Sequence, residues 1–398
     1  MATSLRIRLS ILHFLQYFMW GLWFVTASTY LMEGLNFSGR QVGALYASFS
    51  IGASISPLLL GILADRLFST ERLLSLLHFT GAILLFILPS IESFTSFYVT
   101  LFAYVICYVP TFSLSNSLSF HHIEDIKKDF PAVRVWGTIA WIAAGFLVSY
   151  LNIENQSTPF YIASIASLTQ AVFCLSLPKT PPSPSKYKGL QQFISPEIKK
   201  LFKEASFTIF IICVTLVCIP RSYYYSFVNP FLNEIGIEYA AGKMALGQVS
   251  EIVLMLLLPF LLARFKFKTL IFLGIFAWGS RYGLLILGDE WQMEFFIIIA
   301  ILLHAPAFIF SNLTVQMYID TKVPDELRST AQGFFTLISM GVFALIGSLI
   351  AGETVSQFTL ADGTHLWTRV WMLPFLFGVA IAIVFYLAFH PKPTKNES

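Results

Sequence analysis

MALGQVSEIVLMLLLPFLL, residues 244–262, reads as one unbroken apolar helix that carries an amide and a carboxylate, Gln248 and Glu251, in its first half. About 20 such residues cross the hydrocarbon of a bilayer. A carboxylate at that depth costs several kcal/mol unless something offsets it, so ionisable groups there are rare and mark paths for solute or proton. Gln248 and Glu251 are three residues apart and share one helical face.

The rest of the chain is built in the same way. Of its 398 residues, 56% are hydrophobic and only 12% charged, with a mean hydropathy of +0.73; a soluble domain carries about a quarter charged residues. Apolar runs of spanning length recur at 9–33, 42–64, 73–92, 96–119, 134–153 and 157–177, and again at 207–230, 243–263, 268–287, 293–318, 328–352 and 366–389. The runs are long and do not alternate, so they predict helices rather than a barrel. The expected fold is an all-α membrane protein with twelve transmembrane helices in two six-helix lobes, 1–177 and 207–398. The linker between them, 178–206, opens with Pro178, Pro181, Pro182 and Pro184, an extended pattern. Ser195 then caps a short basic helix that begins at Pro196, runs through Lys199, Lys200 and Lys203, and is suited to the inner membrane face.

Positive charge sets the expected orientation. Arg6, Arg8, Arg66, Arg72, Lys127, Lys128, the lysines of 179–203, Arg264, Lys266, Lys268, Lys322, Lys392 and Lys395 fall on one side, against Arg40, Lys243 and Arg369 on the other. Both termini are therefore expected in the cytoplasm. The net charge of +3 reflects this topology and not nucleic-acid binding. The first apolar run is long enough to span and lacks a small-residue cleavage site, so it reads as a span and not as a signal peptide. Cys107, Cys174, Cys213 and Cys218 all lie in spans, with no disulfide or zinc spacing.

Several polar residues inside the spans have a functional and a structural reading. Arg134, Thr138 and Trp141 stand at i, i+4 and i+7, a charge, a hydroxyl and an aromatic plane on one face; Arg134 is alternatively a boundary residue paired with Asp129. Glu251 serves either a solute path or a structural contact with Arg221 or Arg281. His304 and Phe308, with Asn312 beyond, form a stripe in the tenth span; a histidine there is either packing or a proton-exchanging group. Tyr223, Tyr224 and Tyr225 read as an interfacial belt or a stacking platform. His121, His122, Glu124 and Asp125 read as a solvated loop and not a metal site. No phosphate-cradling loop, nucleophile elbow or paired soluble carboxylates suggest an enzyme, and no cofactor or metal is expected.

Gly61-Ile-Leu-Ala-Asp65-Arg66, with Glu71 and Arg72, resembles the loop signature of the major facilitator superfamily, although its later glycine and one basic position are missing. Asp129–Gly137 (DFPAVRVWG) is echoed by Asp325–Gly333 (DELRSTAQG), as in transporters with repeated halves. Further motifs narrow the resemblance to the nucleoside:proton symporter family: Phe14-Leu-Gln16, Trp20-Gly-Leu-Trp23, Tyr108-Val-Pro-Thr111, Asn116, Asp129-Phe-Pro131, Arg134-Val-Trp-Gly-Thr138, Gln248-Val-Ser-Glu251, Pro259, Arg264, Trp278, Arg281, Phe308, Asn312, Arg328 and Ala331-Gln-Gly333.

That resemblance implies a secondary transporter that imports nucleosides by proton symport around a central site between the lobes. It implies substrate contacts at Arg134, Thr138, Trp141, Gln248, Glu251 and Phe308. A base can stack on Trp141 or Phe308, while Thr138, Gln248 and Glu251 offer partners to ribose hydroxyls. Ser222, Tyr225 and His304 are expected substrate contacts as well, although the chain departs from the family's pattern there: Ser222 and Tyr225 replace amides and His304 stands for an aromatic residue, while Ile309 replaces an acid. Glu251 is the expected coupling group, with His304 as a substitute for the missing acid. The expected partners are a nucleoside, protons and membrane lipid, for a monomer in a bacterial inner membrane. Alternatives are a permease for sugars or other small polar metabolites, and a solute-sensing receptor that does not transport.

Overall fold

The computed structural model describes residues 3–63, 69–181, 202–323 and 327–391. Its secondary structure there is helical apart from an isolated antiparallel bridge between Thr359 and His365. The helices are α1 (Thr3–Gly34), α2 (Gly39–Leu63), α3 (Thr70–Ser90), α4 (Phe94–His122), α5 (Ile126–Tyr150), α6 (Thr158–Cys174), α7 (Ala205–Glu234), α8 (Ala240–Arg264), α9 (Phe267–Glu290), α10 (Glu294–Lys322), α11 (Thr330–Gln357) and α12 (Trp367–Ala388). Among the described residues ten helices are long and apolar enough to cross a bilayer, and α6 is apolar but shorter. The expected signature residues Asp65 and Arg66, the capped helix at Ser195–Lys200 and the acid Asp325 lie outside the described residues.

The chain divides into two compact units, Met1–Gly189 with Glu238–Ala245, and Leu190–Ile237 with Leu246–Ser398. The first residues of α8 thus group with the first unit, which a boundary drawn at the linker does not anticipate. Their placement has a local cause. A helix start leaves backbone N–H groups without intrahelical partners, and here Glu154 Oε1 accepts from Ala241 N at 2.9 Å while Ser149 Oγ accepts from Gly242 N at 2.7 Å. Ser149 also donates to Glu154 at 2.6 Å, so both caps are themselves held.

In the first unit Leu9, Leu12, Leu73, Leu74, Leu114, Leu118, Val133 and Cys174 form an apolar core drawn from α1, α3, α4, α5 and α6. α1 ends through a π turn at Tyr30–Gly34, and Asn36, at φ 55°, reverses the chain, a conformation asparagine tolerates better than most residues. In the second unit α9 and α12 cross at Gly279 and Gly378: a Cβ on Gly378 would stand 2.5 Å from the Gly279 Cα, and one on Gly279 would stand 2.8 Å from the Gly378 carbonyl carbon. Small residues of this kind let helix backbones meet where no hydrophobic effect separates helix from lipid. α10 and α11 each contain a π turn, Ile309–Leu313 and Leu337–Phe343, a feature frequent at functional positions.

Because backbone faces backbone at Gly279 and Gly378, no side chain can yield to an added methyl group. Gly378→Val is expected to cost about 1–3 kcal/mol or more, seen as a lower melting midpoint in detergent; an unchanged midpoint would refute the close crossing.

Candidate functional site

Each unit carries one polar face built from the residues singled out in the sequence. In the first unit α5 sets Arg134, Thr138 and Trp141 on one face, all half-buried. Arg134 is tied to α1: its Nη2 donates to the Tyr17 hydroxyl at 2.7 Å, and its guanidinium carbon lies 4.1 Å from the centre of the Tyr17 ring. Trp141 meets Trp20, also on α1, edge to face at 4.8 Å. Gly137 permits this approach, since a Cβ there would stand 2.7 Å from both Arg134 Nη1 and Tyr17 Cδ2.

Behind that face a buried network fixes the rotation of α1. Gln16 Nε2 donates to Thr111 Oγ1 at 2.7 Å, and its Oε1 accepts from Gln170 Nε2 at 3.2 Å. The same oxygen lies 3.0 Å from His78 Nε2, so His78 carries its proton there. The Gln16 carbonyl accepts from the Tyr108 hydroxyl at 2.6 Å. With Gln16 held on α3, α4 and α6, its neighbour Tyr17 meets Arg134 of α5 and Phe112 of α4.

In the second unit α8 and α10 bring Gln248, Glu251, His304 and Phe308 together. His304 Nε2 lies 3.7 Å from Glu251 Oε2 and 3.5 Å from Gln248 Nε2. The His304 side chain is 2% exposed and that of Glu251 14%, so the imidazole is the more deeply enclosed of the two. Gly247 lets the helices close: a Cβ there would stand 3.0 Å from His304 Cβ and 3.2 Å from the Ile301 carbonyl. The imidazole is sandwiched between Tyr224 at 5.5 Å and Phe308 at 5.8 Å, with Tyr225 edge-on at 6.2 Å.

The other residues singled out in the sequence have the following surroundings. Tyr223 and Tyr224 are buried, so the tyrosine run is no interfacial belt. Ser222 is buried, with its hydroxyl 3.0 Å from the Cys218 carbonyl and 3.1 Å from that of Ala344, which binds α7 to α11. Asn312 accepts from Gln316 one turn further on and lies within the π turn, which breaks the stripe from His304. Ile309 is fully buried against Leu258, Leu270 and Phe310, an apolar setting that matches the loss of an acid. His121 and His122 form the last turn of α4, with His122 Nε2 2.8 Å from Thr180 Oγ1, and Asp125 caps α5. Among the described residues no group of three or more His, Cys, Asp or Glu is placed to hold a metal.

Long apolar helices bearing buried polar faces define a membrane solute transporter of the major facilitator kind. The fold is shared with the solved POT family transporter PepTSo, at a TM-score of 0.76 and 15% identity over 97% of this chain and 98% of that one. More narrowly, the chain belongs to the Nucleoside H+ symporter family, whose model matches residues 1–394. It is 31% identical to the Xanthosine permease of Escherichia coli K12, over 99% of each chain. It is 29% identical to the Nucleoside permease NupG of the same organism, over 98% of this chain and 97% of that protein. The crystal structure of the nucleoside transporter NupG matches with a TM-score of 0.89, covering 98% of this chain and 100% of that one.

Gly137→Ala is expected to push Tyr17 and Arg134 apart while leaving the helices in place. Apparent affinity for solute should fall about tenfold, a loss near 1.4 kcal/mol, with the detergent melting midpoint unchanged; wild-type uptake in the variant would remove the Arg134–Tyr17 pair from the site.

Proposed function

We propose that this chain imports nucleosides together with protons, and that the proton binds and leaves at Glu251. The carrier in this reading has twelve spans in two six-helix lobes, 1–177 and 207–398, joined by 178–206. It works by alternating access as a monomer in a bacterial inner membrane, with both termini cytoplasmic.

One observation carries the reading: Gln248, Glu251 and His304 form a polar cluster inside spanning helices, with a carboxylate oxygen 3.7 Å from the imidazole. A carboxylate in such surroundings is stable only with a partner or a water path, so its protonation can be tied to occupancy of the site. Family membership supports the proton and nucleoside classes together, and relatives named for xanthosine and for nucleosides support the same substrate class. In this reading Trp141 and Phe308 stack on the base. Thr138, Gln248 and Tyr225 answer sugar hydroxyls and base edges. Arg134 supplies charge-assisted donors, and Ser222 acts by seating α7.

Purified protein in proteoliposomes, given labelled uridine, adenosine and a hexose under an imposed pH gradient, tests this. Accumulation of nucleosides and not of hexose is expected; hexose accumulation would make it a sugar carrier, and binding without accumulation a receptor.

Glu251→Gln should abolish accumulation driven by the pH gradient while nucleoside exchange across the membrane continues. His304→Ala should weaken solute affinity and leave the coupling in place. If both variants accumulate nucleosides as the wild type does, the proton does not travel through this cluster.

A further inference from the structure

Arg281 on α9 is the most deeply buried cation among the described residues, with no exposure at all. Its Nη2 donates to the Ala300 carbonyl at 3.0 Å. Its Nε and Nη1 have no hydrogen-bond partner. The guanidinium carbon lies over Tyr224, 3.6 Å from the ring centre, and 4.9 Å from the centre of Trp278. Tyr224 also stacks with His304, at 5.5 Å between ring centres, and His304 reaches Glu251. Arg281, Tyr224, His304 and Phe308 are therefore linked by successive contacts, and Glu251 lies beside His304.

We infer that Arg281 is a positioning residue that tunes the proton affinity of Glu251 from behind the aromatic layer, so that the carboxylate can give up its proton on the cytoplasmic side. The inference rests on the reading of Glu251 as the coupling group. Its physical content is electrostatic. A carboxylate in apolar surroundings holds its proton too tightly to release it, and a nearby fixed cation reverses that tendency. Arginine suits the task because it stays protonated in any surroundings, and Tyr224 and Trp278 seal it from the water and solute that would screen it.

The groups around the proton site are few. α7 supplies Arg221, Tyr224 and Tyr225, α8 supplies Glu251, α9 supplies Arg281 and Tyr282, and α10 supplies His304. Arg221, Arg281 and Glu251 all act electrostatically on Tyr225. Arg221 is partly spent locally, with its Nη2 3.1 Å from both Cys218 Sγ and Met340 Sδ. Tyr282 donates to the Pro220 carbonyl. Arg281 is the second fixed cation, hydrogen-bonded to the Ala300 carbonyl and set over the Tyr224 and Trp278 rings. A packing role alone would be served by an uncharged side chain on Tyr224.

The test reads the pH dependence of uptake in proteoliposomes for the wild type, Arg281→Gln, Arg281→Met, Arg281→Lys and Glu251→Gln. Removing the fixed charge should move the midpoint of the pH profile upward by about one unit and collapse gradient-driven accumulation, while nucleoside exchange persists. Arg281→Lys keeps the charge and should keep the midpoint. A wild-type midpoint in either neutral variant overturns the inference. If neither neutral variant inserts, the Lys variant decides alone, because a shift of a full unit with the charge retained also overturns it. A pH profile that survives Glu251→Gln unchanged would instead count against Glu251 as the coupling group.

Discussion

A polar side chain inside an apolar layer has no water to turn to, so it must be answered by another helix or by a path that lets water in. The internal layout of both units follows from how that demand is met. Gln16 is answered four times over, by Thr111, His78, Gln170 and the hydroxyl that reaches its carbonyl, and the result is an α1 that cannot rotate. Glu251 lies beside His304 and remains slightly open, and in the proposed reading this is where the proton binds and leaves. Full satisfaction gives rigidity and incomplete satisfaction gives chemistry.

Close helix approach makes those answers possible. Gly137 admits Arg134 to Tyr17, Gly247 admits His304 to α8, and Gly279 with Gly378 brings α9 against α12. Lipid is as apolar as leucine, so packing of this kind holds helices together where the hydrophobic effect cannot. Aromatic residues then fill the space between charge and solute face. Tyr17 lies under Arg134 in one unit and Tyr224 under Arg281 in the other, the same contact made twice.

Much of this was legible in the chain. Apolar length located the spans, and a carboxylate three residues from an amide marked α8 as the polar helix. The spacing of Arg134, Thr138 and Trp141 placed them on one face, where the structure has them. Less legible were the partners from other helices. Tyr17 sits in a run of aromatics, Tyr-Phe-Met-Trp20, in which nothing local singles it out. Ser222 stands where the resemblance places an amide, and nothing in the chain signals that its hydroxyl lies against the Cys218 and Ala344 carbonyls. The Asn312 stripe failed because the α-helical period does not hold through a π turn.

Length, hydropathy and the placement of charge therefore determined that the chain crosses a membrane many times and which helices carry polar faces, because these depend on the transfer of single residues between water and lipid. The partner of each buried group was decided by tertiary structure alone. Arg134 on Tyr17, Arg281 on Tyr224, Glu251 beside His304 and the α8 start held by Glu154 are contacts between residues distant in sequence. Their geometry depends on helix crossings that glycines set at a few positions, and a one-dimensional pattern does not encode which helix lies opposite which.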